Sequence, residues 1–276
     1  MSVRITTLSE NTAQLGFLGE WGLSILIETE SCKVLFDTGM SISAVHNADL
    51  MGIDLSTIDA IVLSHAHADH TGGLHDVLRR VRKEIPVIAH PDIWIPKYVQ
   101  YGDLSRYAGM LFAREALEAL GASFNLTKEP LNISGDIMTV GEIAMTTDYE
   151  KIDDRLCLKV GDEMMPDPMA DDLAIVVRTE QGLALITGCA HRGIVNTVRH
   201  VQDITGGGYI HTIIGGTHLY LSPQERIENT ARELKKLELQ QLGVSHCTGF
   251  NASAALAEEF GDIFFLNSAG TQTILD

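Results

Sequence analysis

Short apolar runs separated by polar turns mark the first third of the chain, a pattern typical of strands with at least one buried face. They predict a hairpin that ends at Asp37-Thr38-Gly39, followed by two further strands; the four runs are 23–29, 33–36, 60–63 and 86–90. Residues 74–83 carry apolar side chains at helical spacing and predict a helix.

Residues 91–125 show an irregular pattern, apart from one helical segment that stops at Gly121. Aromatic side chains are frequent at 94–112. They indicate either a small satellite core beneath a long excursion or a lid that selects a flat or heterocyclic substrate.

A polar loop follows the short β-like runs at 131–160 and covers residues 164–172. The residues after this loop show clearer strand and helix patterns. After the loop, "LAIVVRT" and "LALITG" flank a turn and predict a hairpin. Ser222 and Glu225 match a capping box with Pro223 at the first helical position. Further helices are predicted near 194–204 and 252–261, and further strands at 209–216, 242–247 and 262–267.

Hairpins are thus mixed with strand–helix–strand units, and the helices are spread along the whole chain. Such an order favours sheets that are covered by helices on their outer faces. We therefore predict an α/β protein with a four-layer α/β/β/α sandwich, formed by a single domain over 1–276 with an excursion at 91–125.

Composition and charge limit the partners. Lys and Arg number 20 and Asp and Glu 37, which gives a net charge of −17. Such a field opposes nucleic acid and anionic membranes as partners. The first residues lack the apolar core of a signal peptide, and the four cysteines show no CxxC pair. We expect a cytoplasmic protein with reduced cysteines that acts on a small molecule, while its oligomeric state stays open.

The stretch "LSHAHADHTGG" at 63–73 places His65, His67, Asp69 and His70 directly after a predicted buried strand. Histidine and carboxylate are common ligands of zinc and related divalent ions. If the chain stays extended, the first two histidines project to one side and can bind one ion. The other two residues, in the following turn, can face a second ion, and the two glycines allow a sharp turn into the next helix.

This His-x-His-x-Asp-His pattern and the upstream "VLFDTGMS", which contains Asp37, resemble two landmarks of the metallo-β-lactamase superfamily. The resemblance implies the α/β/β/α sandwich and a dinuclear metal site at the edge of its two sheets. It also implies two divalent ions, which we expect to be zinc, with manganese or iron as alternatives.

Two ions need ligands from later in the chain. His191 follows a strand and precedes a helix, and it is our candidate for the first ion. His246 lies at a similar junction and is the candidate for the second. His218 occupies a third junction, where it either binds a metal or, as we favour, transfers a proton. His46 and His90 are candidate pocket residues, whereas the helical or strand positions of three other histidines indicate structural or exposed roles: His75, His200 and His211.

The chain departs from the superfamily pattern at Gly188-Cys189, where most members have Gly-Asp with an aspartate that bridges the metals. The superfamily's third-landmark histidine also has no counterpart, because the loop 164–172 offers only aspartates. The ligand that bridges the two metals is therefore open, with three alternatives for Cys189. It coordinates as a thiolate, a solvent hydroxide bridges without it, or it is a small buried residue beside the site.

"TGCAHRGIVN", "GGTHL" and "HCTG" together resemble the branch named for 7,8-dihydropterin-6-methyl-4-(β-D-ribofuranosyl)aminobenzene-5′-phosphate synthase. This resemblance implies a transferase that joins a dihydropterin to a ribosylaminobenzene phosphate.

From the predicted site we favour a metal-dependent hydrolase that acts with an activated water on an ester, lactone or phosphodiester. Asp69 would hold the second ion and orient the water, and His218 would protonate a leaving group. Arg192 is either an anion clamp or an exposed ion-pairing residue. The alternatives are the transferase, whose substrate would be phosphorylated or heterocyclic, and a non-catalytic binder. A di-iron redox protein is disfavoured, because that group carries Glu where this chain has His67.

Overall fold

A computed structural model of the protein describes residues 2–276 and contains eighteen strands in this range. The first nine are β1 (Val3–Ser9), β2 (Ser24–Glu28), β3 (Lys33–Phe36), β4 (Ala60–Val62), β5 (Ile85–Ala89), β6 (Lys97–Tyr101), β7 (Leu104–Tyr107), β8 (Ala122–Leu126) and β9 (Leu131–Asn132). The others are β10 (Ile137–Thr139), β11 (Leu156–Val160), β12 (Glu163–Pro166), β13 (Ala174–Thr179), β14 (Gly182–Thr187), β15 (Ile210–Gly216), β16 (Gln241–Ser245), β17 (Phe264–Leu266) and β18 (Gln272–Leu275).

Seven α-helices lie between these strands in the same range of residues. They are α1 (Ser43–Leu50), α2 (Ala68–Thr71), α3 (Leu74–Val81), α4 (Arg114–Glu118), α5 (Ile194–Thr205), α6 (Gln224–Lys235) and α7 (Phe250–Phe260). Within residues 2–276, none of the helices has both the length and the apolar character that crossing a bilayer requires.

Two seven-stranded sheets form the centre of the fold. The first has the strand order β18-β1-β2-β3-β4-β5-β8, and the second β17-β16-β15-β14-β13-β10-β9. In each sheet one half is antiparallel and the other half parallel: β3, β4, β5 and β8 run parallel in the first, and β14, β15, β16 and β17 in the second.

Alternation along the strands places the two sheets face to face. In β2, Ile25 and Ile27 belong to the core between the sheets, whereas Leu26 packs in the core under α1 and α3. In β13, Ile175 also lies between the sheets, and Val176 packs in the core under α5, α6 and α7. Because successive side chains of a strand point to opposite faces, three cores separate four layers. The predicted α/β/β/α sandwich is therefore confirmed.

A third, four-stranded sheet with the order β12-β11-β6-β7 was not anticipated in the segment 91–125. The irregular pattern predicted there is wrong for β6 and β7, which form a hairpin. Strand β6 also pairs with β11, more than 50 residues downstream. The polar loop at 164–172 also starts later than predicted, because β12 extends to Pro166. Strands β1 and β18, which pair with each other, carried no strand prediction.

The start of α6 corrects the predicted capping box. The helix begins at Gln224, and the residue before it is Pro223, which provides no side-chain cap. The hydroxyl of Ser222 instead lies 3.5 Å from the carbonyl oxygen of His218. Proline at this point still fits a helix start, since its fixed φ suits the first turn.

The candidate site residues follow the carboxyl ends of the parallel strands. Asp37 follows β3, the His-x-His-x-Asp-His segment follows β4, and Cys189, His218 and His246 come directly or closely after β14, β15 and β16. The ends of neighbouring parallel strands meet at one edge of a sheet, which is where α/β proteins bind ligands. The two sheets bring these edges together at one end of the sandwich.

Candidate metal centre

The first group of ligand atoms joins the segment after β4 to the turn after β14. Nε2 of His65 lies 2.9 Å from Nδ1 of His67 and 3.2 Å from Nε2 of His191. All three side chains are buried, at 0, 7 and 2% exposure. The structure thus brings together the three histidines that the sequence assigns to the first ion.

The second group joins the same segment to the turn after β16. Nε2 of His70 lies 3.2 Å from Nε2 of His246, which is 3.3 Å from Oδ2 of Asp69. Nε1 of Trp21 donates a hydrogen bond to the same carboxylate oxygen at 2.9 Å. The three residues that the sequence assigns to the second ion are therefore also adjacent.

Outer hydrogen bonds determine which nitrogen of the second-group histidines carries the proton. Nδ1 of His70 donates to Oδ2 of Asp37 at 2.7 Å, and Nδ1 of His246 faces Oδ1 of Asn11 at 2.8 Å. The amide of Asn11 is oriented by a bond from the Gly22 N–H to Oδ1 and by its own donation to the His246 carbonyl. When both imidazoles are neutral, the two Nε2 atoms therefore direct lone pairs at each other, an arrangement that a cation stabilises.

Hydrogen bonds also indicate which ring nitrogen of His65, in the first group, carries the proton. The hydroxyl of Ser64 donates to Oδ2 of Asp37 at 2.7 Å, so its oxygen accepts a hydrogen bond from Nδ1 of His65 at 2.8 Å. The lone pair of His65 Nε2 consequently points at the rings of His67 and His191. Nε2 of His67 and Nδ1 of His191 are buried without a hydrogen-bond partner. The nitrogens that converge on His65 Nε2 are Nδ1 of His67 and Nε2 of His191, and imidazole nitrogens placed in this way can bind zinc or a related divalent ion.

Cys189 lies between the two groups. Its Sγ is 3.1 Å from Nε2 of His70. It clusters with His65 and His191 on one side and with His70 and His246 on the other, and within each cluster the candidate ligand atoms lie within 4.8 Å of one another. Cys189 thus lies between the two groups of candidate ligands, the first and the second metal group, where a bridging ligand would lie. Burial raises the pKa of its thiol, so a free thiol here is neutral until a cation is bound.

Burial keeps the first-group histidines neutral. It lowers the pKa of His65 and His191 well below the usual range and that of His67 to about 4. A histidine binds metal through an unprotonated nitrogen, so these low values suit ligands.

In the second group, neighbouring charges and hydrogen bonds favour the ionised forms of His70 and Asp69. Burial opposes ionisation of His70, but the charge and the hydrogen bond of Asp37 raise the pKa of its imidazole to about 9. Burial likewise opposes the charge on Asp69. The hydrogen bond from His246 and the charge of His70 nevertheless hold the pKa of the Asp69 carboxyl well below its usual range.

Replacement of Asp37 by asparagine tests the outer hydrogen bonds. Asp37→Asn is expected to weaken metal binding by about 10- to 100-fold, because it loses the acceptor that orients His70 and Ser64. Competition against a chelating dye measures this affinity. Asp59→Asn, which affects an exposed carboxylate bonded to the backbone of β3, serves as control. Equal affinity of the two variants would contradict the role of Asp37.

Four non-glycine residues at these strand ends have left-handed backbone conformations. The φ angles are 59° for Asp37, 55° for Ala190, 48° for His218 and 52° for His246. Such conformations cost about 1–3 kcal/mol each and persist where the surrounding structure enforces them, often at functional sites. Their concentration here supports the assignment of this edge as the functional one.

The two glycines after His70 form the turn between α2 and α3, where the sequence predicted a turn. Their φ angles of −66° and −77° are open to any residue, so the turn itself does not require glycine. A Cβ on Gly72 would lie 2.2 Å from the carbonyl oxygen of Met40, and one on Gly73 would lie 2.0 Å from that of Thr38. The glycines therefore allow the histidine segment to pack directly against the loop after β3.

A cleft of about 550 Å³ opens above both metal groups. One wall is formed by the β6–β7 hairpin through Val99, Tyr101, Arg106 and Tyr107. Trp21 and Tyr220, whose ring centroids are 5.9 Å apart, lie elsewhere along the cleft. The cleft thus combines candidate metal ligands with aromatic surface.

A second cavity of about 650 Å³ adjoins the first. The residues common to both are Asp153, Arg155, His218 and Tyr220. The imidazole of His218 lies 4.0 Å, centroid to centroid, from that of His191, and its Nδ1 is buried without a hydrogen-bond partner. His218 is therefore next to the first metal group and in contact with both cavities.

Comparison with known families agrees with this geometry. The model of the metallo-β-lactamase superfamily matches residues 22–238. The chain belongs to this superfamily.

Individual relatives refine the comparison. A protein of Methanocaldococcus jannaschii named 7,8-dihydropterin-6-methyl-4-(β-D-ribofuranosyl)-aminobenzene-5′-phosphate synthase is 35% identical, over 98% of this chain and 95% of the relative. An uncharacterised protein of the same organism is 31% identical, over 92% of this chain and 94% of its own. A solved structure described as a metal-dependent hydrolase of the β-lactamase superfamily has a TM-score of 0.85 at 29% identity and covers 98% of both chains. The resemblance to the superfamily and to its synthase-named branch is thus confirmed.

The loop that lacks the superfamily's third histidine contributes support to the site instead of ligands. Oδ2 of Asp171 accepts a hydrogen bond at 2.8 Å from the backbone N–H of Ala66, between the two first-group histidines. The buried ammonium of Lys97 lies 2.5 Å from Asp171 and 2.9 Å from Asp167. Asp172 accepts a bond from the backbone N–H of Arg192, and burial raises its pKa to about 7.

Three of the candidate pocket residues are located away from the metal groups. The guanidinium of Arg192 pairs with Glu142 at 3.1 Å, so the geometry does not support an anion clamp. His90 is buried and accepts a bond from the backbone of Asp92, and His46 lines a separate surface cavity. None of these three side chains lines the metal cleft in the described chain.

Trp21, Ser64 and Asn11 were not identified from the sequence, although each contacts a residue of the metal groups. Ser64 is adjacent to His65, so its proximity was readable from the sequence. Trp21 and Asn11 reach the site from 48 and 235 residues away along the chain. Their sequence neighbourhoods contain no motif that marks them.

Proposed function

We propose that this protein is a dinuclear-metal enzyme that joins a dihydropterin to an aromatic amine bearing a ribosyl phosphate. The observation that carries the proposal is the pair of adjoining cavities, which share His218 in their walls. A condensation needs two organic substrates in contact, whereas hydrolysis needs one. Cavities of about 300–1,000 Å³ each suit one small molecule, and both cavities fall within this range. The name of the relative that is 35% identical supports this reading over the hydrolase that the sequence alone favours.

Two divalent ions fit the donor atoms. His65, His67 and His191 would hold the first ion, and Asp69, His70 and His246 would hold the second. Cys189 would lie between them, as the first of the three alternatives for the bridge. Mixed imidazole and thiolate donors favour zinc, with manganese or iron as alternatives. When bound, the two ions supply positive charge that polarises an oxygen and stabilises the charge of a leaving group.

The remaining groups of the cleft have roles in binding and proton transfer. In the condensation, the amine nitrogen forms a bond to the 6-methylene carbon of the dihydropterin. The bond from this carbon to a phosphate or diphosphate breaks, and the leaving group departs with the electron pair. His218, at the junction of the cavities, is the candidate that takes the amine proton. Trp21, Tyr101 and Tyr220 provide aromatic surface for the flat pterin ring.

Direct assay tests the proposal. The protein, loaded with zinc, is incubated with a (dihydropterin-6-yl)methyl diphosphate and the ribosylaminobenzene phosphate, and the joined product is measured by mass spectrometry. We expect product only when both substrates are present, and a loss of about 100-fold or more in rate for His218→Gln. His200→Gln, on α5 outside the cleft, is the control. Absence of joined product from protein with a full metal content would refute the condensation.

Hydrolysis is the second candidate, favoured by the similarity to the structure described as a metal-dependent hydrolase. It would use the same ions to activate water against an ester, lactone or phosphodiester, with Asp69 orienting that water. Assays with bis-p-nitrophenyl phosphate on the wild type and on His67→Ala test this candidate. Turnover that disappears in the variant, without formation of joined product from the two condensation substrates, would favour the hydrolase.

The place of Cys189 gives a test of the bridge. Cys189→Asp restores the aspartate that most of the superfamily carries and is expected to retain two ions. Cys189→Ala is expected to bind the pair at least about 10-fold more weakly, because one shared ligand is lost. Elemental analysis after dialysis measures both. Cys32→Ala, at a buried cysteine of the core between the sheets, controls for the loss of a thiol. A full, tightly held metal content in Cys189→Ala would instead assign Cys189 as a buried neighbour of the site.

A further inference from the structure

The second cavity contains a set of polar groups that the metal site does not use. It lies between the segment 148–155 and the first residues of α6. Arg226 projects from α6 and lines the cavity together with Tyr149, Lys151 and Ser222. The metal-ligating histidines of the first and second groups are absent from its lining in the described chain. The cavity is therefore a separate compartment that meets the metal cleft at His218.

Arg226 has unused hydrogen-bond donors. Nη1 of its guanidinium donates to the carbonyl oxygen of Lys151 at 2.7 Å. Nε and Nη2 are buried and have no partner, and the hydroxyl of Tyr149 is also buried without one. An unsatisfied buried donor costs about 1–3 kcal/mol, more when it is charged, so three such atoms in one cavity wall require an explanation.

The nearby carboxylate does not satisfy these donors. Glu150 is buried, but its two oxygens accept hydrogen bonds from the N–H groups of Val195 and Asn196 at the start of α5 and from the hydroxyl of Thr147. Glu150 therefore caps α5 and forms no hydrogen bond with Arg226. The edge of the guanidinium formed by Nε and Nη2 therefore has no protein partner, and its geometry matches the oxygens of a phosphate once a side-chain shift exposes it.

The other charges in the cavity narrow the ligand class. The guanidinium of Arg155 is already hydrogen-bonded to Asp153: its Nε donates to the two carboxylate oxygens at 3.0 and 3.1 Å. Asp148, Asp154 and Glu225 also line the cavity. A bare anion would be repelled by these carboxylates, but a phosphorylated molecule with several hydroxyl groups can donate hydrogen bonds to them. The cavity thus offers donors for a phosphate and acceptors for a sugar.

We propose that the second cavity is a sugar-phosphate subsite, in which Arg226 and Tyr149 bind the phosphate and the carboxylates bind the sugar hydroxyls. This inference rests on the proposed function and assigns the ribosyl phosphate of the amine substrate to this cavity. The aromatic amine would then point toward His218 and the metal cleft. The three donor atoms are covered in the ligand-free chain, so binding includes a side-chain shift that exposes them.

Binding of ribose 5-phosphate to the zinc-loaded protein tests the subsite without requiring any turnover. We expect Arg226→Gln to weaken ribose 5-phosphate binding by about 10- to 100-fold in calorimetry, and Tyr149→Phe by about 3- to 10-fold. Ribose without phosphate is expected to bind weakly to the wild type and to be unaffected by Arg226→Gln. Arg232→Gln, on the same helix and bonded to Asn229, is the matched control and should bind like the wild type.

The outcomes separate the subsite from the condensation. Unchanged ribose 5-phosphate affinity in Arg226→Gln, with a thermal midpoint equal to that of Arg232→Gln, would overturn the subsite, including the case in which the phosphate binds at the metals. Tyr149→Phe removes only a hydroxyl and keeps the test valid if Arg226→Gln does not fold. Loss of binding in both variants supports the subsite even if no joined product forms, in which case only the condensation fails.

Discussion

Replacing Lys97 by methionine is expected to lower the free energy of unfolding by about 3–5 kcal/mol, because removing one partner of a buried ion pair leaves uncompensated charge. Lys97 is 1% exposed, and its ammonium is held between Asp167 and Asp171. Methionine has nearly the same length but no charge, so two buried carboxylates would lose their counter-ion. Urea unfolding followed by circular dichroism measures the change.

The effect of this substitution should extend to the metal centre. Asp171 uses its other oxygen to hold the backbone N–H of Ala66, between His65 and His67. Movement of Asp171 would therefore disturb the first metal group as well as the fold. Lys159→Met, on the neighbouring strand β11 without a buried ion pair in the described chain, is the control and should change stability by less than about 0.5 kcal/mol. A loss below about 1 kcal/mol for Lys97→Met would contradict the role assigned to the buried pair.

Replacing His70 by alanine is expected to reduce the metal content from two ions to one. The rate of the condensation should fall by about 1,000-fold or more. His70 contacts Asp37 behind it and Cys189 and His246 in front, so its loss removes a ligand and separates the two groups. Elemental analysis and the condensation assay measure the two effects.

A matched control is available on the next helix. His75 is half-exposed, pairs with Asp76 and stacks on Phe112 with ring centroids 4.8 Å apart. His75→Ala should keep both ions and the wild-type rate. Equal metal content in His70→Ala and in the wild type would show that the second group does not hold an ion as we propose.

The spacing of residues along the chain predicted the part of the site that lies within one short segment. The His-x-His-x-Asp-His segment lies in six consecutive residues, and its position after a strand follows from the apolar run before it. His191 and His246 were found because each follows a strand and precedes a helix, and parallel strands end at a common edge. The structure places both beside the segment, as expected.

The remaining parts depend on contacts that leave no local pattern. Strands β1 and β18 pair across almost the full length of the chain, and β6 pairs with β11 far downstream. The hairpin of β6 and β7 was missed because β7 is exposed along its length, so its residues do not alternate between apolar and polar positions. Asp171 and Lys97 were each visible as charges, but only the fold shows that they form a buried pair beneath the histidines.

Anomalous X-ray scattering from crystals of the zinc-loaded protein, recorded on both sides of the zinc absorption edge, tests the central claim most directly. The account predicts two zinc peaks per chain, one among His65, His67 and His191 and the other among Asp69, His70 and His246, with the Cys189 sulfur between them. A single peak, or peaks away from these side chains, would contradict a dinuclear centre at this edge of the sandwich.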